Sequence, residues 1–178
     1  NLLISTFGDR NMAPEAYYSI GEIYANLEFP GFDFEKADAN FSRVYNIYSR
    51  SERVDDALLY SGLLKARLGE FRNARTTLQR LVDEYPQSSL APKALFHLGL
   101  NLVNLGEPIT ALEVLQRLID DYEDKDTSLR ALRVIHKLYR TQVLVAKAGS
   151  SLYKPDAAFS GKKFKDVTAI EVDQNDQV

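Results

Sequence analysis

The chain has 178 residues, a formal net charge of −3, 45% hydrophobic and 26% charged residues, two histidines and no cysteine. This is an ordinary soluble balance. It lacks the positive field that would draw nucleic acid, and without cysteine it can hold no disulfide scaffold, thiolate zinc site or cysteine nucleophile.

Residues 1–21 run parallel to residues 79–99, with Leu3 at the place of Leu81, Phe7 of Tyr85, Pro14 of Pro92 and Gly21 of Gly99. Residues 1–8 therefore read as the end of a second helix whose own partner is expected upstream. No apolar run approaches the roughly 18 residues of a membrane span. No basic stretch leads into an apolar one, so neither membrane insertion nor a signal peptide is expected of this sequence.

The next unit spans 14–50. Ala37, Phe41, Val44 and Tyr48 stand 37 residues before Ala74, Leu78, Leu81 and Tyr85, whereas Gly21 stands 41 before Gly62. Four extra residues must lie between its helices, and Pro30-Gly31 marks their turn. Phe29, Phe32 and Phe34 around that turn either tuck against the core or form an exposed aromatic contact patch.

The clearest unit spans 53–86. Gly62, Gly69 and Ala74 are small where two helices approach, Leu78 and Leu81 follow on one helical face, and Pro86 ends the second helix. The unit 90–123 repeats this with Gly99, Gly106, Ala111, Leu115, Leu118 and Tyr122, and Pro108 falls in a first helical turn, where its missing N–H does no harm. One more helix is expected over 127–147, with Ala131 matching Ala94 and His136 in place of the packing glycine. As an unmatched terminal helix it reads as a cap, closing an array over residues 1–148.

Residues 149–178 change character. Helical periodicity stops at Gly149-Ser150-Ser151, and the stretch from Phe164 alternates as a strand does, with a turn signal at Gln174-Asn175-Asp176. This segment reads as a linker and strand.

Little in the chain carries chemistry. His97 and His136 lack a metal-ligand partner at helical spacing. The acidic run from Asp120 to Asp126 has no turn glycine for a calcium loop, and the glycines are dispersed rather than gathered around a phosphate. Neither catalysis, nor a metal, nor another cofactor is expected.

The set Gly62, Gly69, Ala74-x-x-x-Leu78 and Pro86, with Ala37-x-x-x-Phe41 nearest the pattern, resembles the tetratricopeptide repeat. The 37-residue period and the run from Tyr85-Pro86 to Pro92-Lys93-Ala94 are similar to repeats of bacterial periplasmic proteins, such as outer-membrane-assembly lipoproteins and the coordinator that binds TolA. The tail resembles the opening of an NHL-type β-propeller. The resemblance implies an all-α, right-handed superhelix of stacked antiparallel helix pairs with a short extended tail. It further implies a cell-envelope location, though the cytoplasm stays open, and a groove along the first helix of each pair. By that resemblance the groove-lining residues are Tyr18, Glu22 and Asn26; Leu59, Leu63 and Arg67; Phe96, Leu100 and Asn104; and Arg133, Lys137 and Arg140. Such a groove, apolar in the middle and basic at its end, suits a peptide or protein partner. The alternatives are that the array is a spacer or oligomerisation element with its groove filled internally, and that the groove or tail mediates self-association.

Overall fold

The computed structural model describes residues 12–140, so the readings of 1–8, 141–147 and 149–178 lie outside the described residues. Among those described there are seven helices and no strand: α1 (Ala13–Ala25), α2 (Phe34–Ile47), α3 (Val54–Arg67), α4 (Phe71–Glu84), α5 (Ala91–Asn104), α6 (Pro108–Asp121) and α7 (Lys125–Arg140).

Local chemistry sets the ends of these helices. Pro14, Pro92 and Pro108 sit in first turns, where no N–H is required of them. Asp33 caps α2 by accepting from the Lys36 N–H at 2.9 Å. Asp124 does the same for α7, accepting from the Thr127 N–H at 3.1 Å. Gly69 and Gly106 have φ of 79° and 75°, the left-handed region that a side chain disfavours. Each closes its helix by the same double hydrogen bond. Glu70 N–H reaches the Lys65 carbonyl at 2.8 Å, and Gly69 N–H the Ala66 carbonyl at 3.1 Å.

Helices pack on their neighbours in sequence. Within pairs these are α1 with α2, α3 with α4 and α5 with α6; between pairs, α2 meets α3 and α4 meets α5. The result is the all-α stack of helix pairs that the repeat implied. One compact unit ends at Ala131 and a second begins at Leu132.

Every second helix brings the same triad to the core: Ala37, Phe41 and Val44; Ala74, Leu78 and Leu81; Ala111, Leu115 and Leu118. All nine are fully buried. Opposite each triad stands the packing glycine. A methyl group at Gly62 would lie 2.6 Å from Leu78 Cγ, at Gly99 2.6 Å from Leu115 Cδ2, and at Gly21 2.8 Å from the Phe41 ring. The α2–α3 junction is polar. Ser61, fully buried, donates to Asp38; Lys65 Nζ reaches Asp38 and also Ser61 Oγ, the latter at 2.7 Å; and Tyr45 OH bridges Ser42 and Ser61 at 2.8 and 3.2 Å.

Gly99→Ala raises helix propensity by up to about 1 kcal/mol but overpacks the contact with Leu115, which costs about 1–3 kcal/mol. The variant should unfold at lower urea concentration than wild type. Leu115→Ala should cost less in the Gly99→Ala background than alone, because it removes the clash that Gly99→Ala creates. A second test concerns Asn101, which is 2% exposed with neither amide atom hydrogen-bonded among the described residues. Its counterpart 37 residues earlier is Leu64. Asn101→Leu should raise stability by about 1–2 kcal/mol, read from the urea midpoint at unchanged slope.

Candidate functional site

The first helices α1, α3 and α5 present three comparable rows of side chains within one compact unit. The row three places before the packing glycine is Tyr18, Leu59 and Phe96, and all three are buried at 4%, 1% and 4% exposure. The row one place after it is Glu22, Leu63 and Leu100; Glu22 is exposed and the two leucines half-buried. The outermost set, Asn26, Arg67 and Asn104, is exposed. Asn26 spends its side-chain oxygen on the Glu28 N–H at 2.9 Å. Arg67 lies over the Phe34 ring at 5.1 Å. The central residues thus supply an apolar floor and the outer ones a polar margin. Arg133, Lys137 and Arg140 are exposed on α7 and belong to the second unit.

Electrostatics distinguish the two ends of the first unit. At the α1 end, Arg53 stacks over the Tyr18 ring at 4.9 Å and binds Glu15 through Nε and Nη2 at 2.8 and 2.9 Å, and Asp56 at 3.3 Å. One guanidinium therefore serves two carboxylates, and this holds Arg53 firmly charged. Burial, with Asp56 and then Glu22 adding to it, pushes the Tyr18 phenol well above its usual range. Tyr18 also packs against Phe41 at 5.4 Å and Tyr60 at 6.1 Å.

At the α5 end the signs reverse. Arg130 lies over the buried Phe96 ring at 4.4 Å, and Phe96 meets His97 edge-on at 5.4 Å. Burial, then Arg130, then Lys93 push the His97 imidazole down to about 4. No ion pair engages Lys93 or Arg130 among the described residues.

Glu15, Asp56, Lys93 and Arg130 form one further row, six places before the packing glycine or its substitute His136. The row was legible in the sequence by carrying the groove pattern back one more turn. Arg53 had no such signal, because its counterpart 37 residues later is Leu90.

Other polar groups are committed elsewhere. In the acidic run, Asp120 accepts from Gln116, Asp121 pairs with Arg117 at 3.3 Å, and Asp124 caps α7. Among the described residues no group of His, Asp and Glu could hold a metal ion, and no helix is long and apolar enough to cross a membrane. Ser61 and Lys65 stand at the distance of a nucleophile and its base, but Ser61 has no exposed surface for a substrate carbonyl to reach.

The class these features define is a helical repeat array. Residues 56–88 and 93–125 each match the tetratricopeptide repeat, the second match beginning 37 residues after the first. They fall on α3–α4 and α5–α6, so the two central pairs are similar to a repeat that in general mediates protein–protein interaction. Among curated proteins none matches the chain.

The depressed His97 pKa carries a pH signature. Folded His97 holds its neutral form down to about pH 4, whereas the unfolded side chain takes up its proton near 6.5. Stability contributed above pH 6.5 is therefore lost as pH falls from 6.5 toward 4. Between pH 7 and pH 4.5 the wild type should lose about 2 kcal/mol more than His97→Gln, measured as the difference between their urea-unfolding free energies at each pH.

Proposed function

We propose that the array is an interaction scaffold that holds a protein segment along its first helices. Apolar side chains of the segment lie against Leu63 and Leu100, above the buried Leu59 and Phe96, and an acidic group meets Lys93 and Arg130. The observation that carries this reading is the charge contrast along one row of side chains. Glu15 and Asp56 are satisfied by Arg53, whereas Lys93 and Arg130 have no carboxylate partner among the described residues.

A guanidinium resting on an aromatic face keeps its N–H edge free for a carboxylate, and such charge-assisted bonds are the strong ones. Leu63 and Leu100 offer apolar surface beside it, so the ligand class is a peptide with an acidic residue next to aliphatic or aromatic ones. Arg133, Lys137 and Arg140 give the second unit a basic face of its own. A bacterial cell envelope is the setting we favour. It is supported by the 37-residue period and by the Tyr85-Pro86 to Pro92-Lys93 run, both similar to periplasmic arrays.

The burial of Leu59 and Phe96 favours a second reading, in which the surface is filled internally and the array spaces other parts of a larger protein. Selection of displayed random peptides against the chain separates the two. Peptides that pair Asp or Glu with apolar residues should emerge, and Lys93→Glu with Arg130→Glu should weaken them about ten-fold or more without altering thermal unfolding. If no peptide is selected, or if those selected lack acidic residues and ignore the charge reversal, acid recognition at this surface is wrong.

A further inference from the structure

On α5, Lys93, Phe96, His97 and Leu100 share one helical face. Lys93, His97 and Leu100 are half-buried and Phe96 is buried. The Phe96 ring meets His97 edge-on at 5.4 Å and is covered by Arg130 of α7 at 4.4 Å. The imidazole thus stands beside both cations that await an acidic group. It makes no hydrogen bond among the described residues, and part of it meets solvent.

His97 differs from its counterparts in the earlier pairs. Two places before the packing glycine those pairs have Ser19 and Tyr60. Neither changes charge near neutrality, whereas an imidazole does so under modest changes in its surroundings. In the free array burial, then Arg130, then Lys93 keep the proton off His97. The neighbouring helices α4 and α6 also pack on α5, and among the described residues neither brings a charge to bear on the ring. The cationic part of this opposition is removable. An anion held between Lys93 and Arg130 offsets both charges and offers the imidazole N–H an acceptor. An opposite charge this close favours the protonated ring by about 1 to 3 pH units, and burial, which persists, limits the gain.

We propose that an anionic group bound between Lys93 and Arg130 draws a proton from solvent onto His97, making the imidazole a third cation of the same site. The proposal rests on the acid-recognition reading given above and adds its regulation. The complex then holds more protons than the free array, so by linkage binding strengthens as pH falls from about 7 toward 5. An acidic segment is held more firmly under mildly acidic conditions and released more readily at neutral pH.

Inorganic sulfate is the probe for the test. It keeps its double charge throughout this range, so any proton taken up resides on the protein. The intact, isotope-labelled chain is titrated by NMR from about pH 7 to 4, in sulfate and in chloride of equal ionic strength. There are two histidines, and His97→Gln assigns their signals. In chloride the His97 midpoint should lie at about 4, and saturating sulfate should raise it by about 1 to 2. Sulfate should bind roughly two- to ten-fold more tightly at about pH 5 than at 7, and this gain should shrink in His97→Gln. Arg130→Gln and Lys93→Gln should each raise the midpoint in chloride, with no ligand present. If neither does, or if sulfate binds and Lys93→Glu with Arg130→Glu abolishes that binding but the bound midpoint stays put, proton coupling is wrong and the acid site stands. A gain that persists in full in His97→Gln equally overturns the coupling. If the wild type shows no saturable sulfate binding, or only binding that the charge reversal leaves unchanged, the acid site itself fails and this proposal with it.

Discussion

The structure depends on a contact with no room for a methyl group. Gly62 against Leu78, Gly99 against Leu115 and Gly21 against Phe41 set how closely each pair of helices can approach. Once that distance is fixed, the Ala-x-x-x-Leu-x-x-Leu stripe is buried completely, and the faces left over must find the next pair. Because the same contact recurs in each pair, at spacings of 41 and then 37 residues, side chains at matching positions of successive first helices fall into rows. The candidate binding surface is these rows, so its geometry follows from the glycine contact even though no packing glycine takes part in binding.

Those rows give the surface a direction. The row that begins with Glu15 and Asp56 ends with Lys93 and Arg130, and Arg53 compensates its acidic half alone. A single guanidinium shared by two carboxylates and resting on a tyrosine face is strongly positioned, because each partner limits its freedom toward the others. Arg130 has an aromatic platform as well, Phe96, but no acid among the described residues. A bound segment would therefore meet a neutralised end and a cationic end, and the two are not interchangeable.

How much of this was legible before the structure depends on whether a residue obeys the repeat. The helix pairs, the turn glycines and the triads opposite the packing glycines all recur, so spacing alone found them. The insertion between Gly21 and Ala37 was found as a break in spacing, but spacing could not say which way Phe29 and Phe32 point; the short hydrogen-bonded turn that holds them outward is a property of its own backbone. Burial was the other gap. Tyr18, Leu59 and Phe96 occupy groove positions by resemblance, yet each lies below 5% exposure, because burial depends on the size of the neighbours and not on register. Arg53 was illegible for a related reason: it reaches Glu15 across 38 residues, from a position whose repeat counterpart is a leucine.

The polar junction between α2 and α3 has a consequence for assembly. A stack of near-identical units with interchangeable apolar faces could join in the wrong order, or exchange a pair with a neighbouring molecule, at little cost. Asp38, Ser61 and Lys65 make one joint unlike the others, since the position of Ser61 is taken by Leu98 in the next unit. If α2 met α5 instead of α3, the Asp38 carboxylate would face that leucine and lose both of its donors. The joint therefore acts as a key that tells one interface from the next and fixes the order of the pairs along the array.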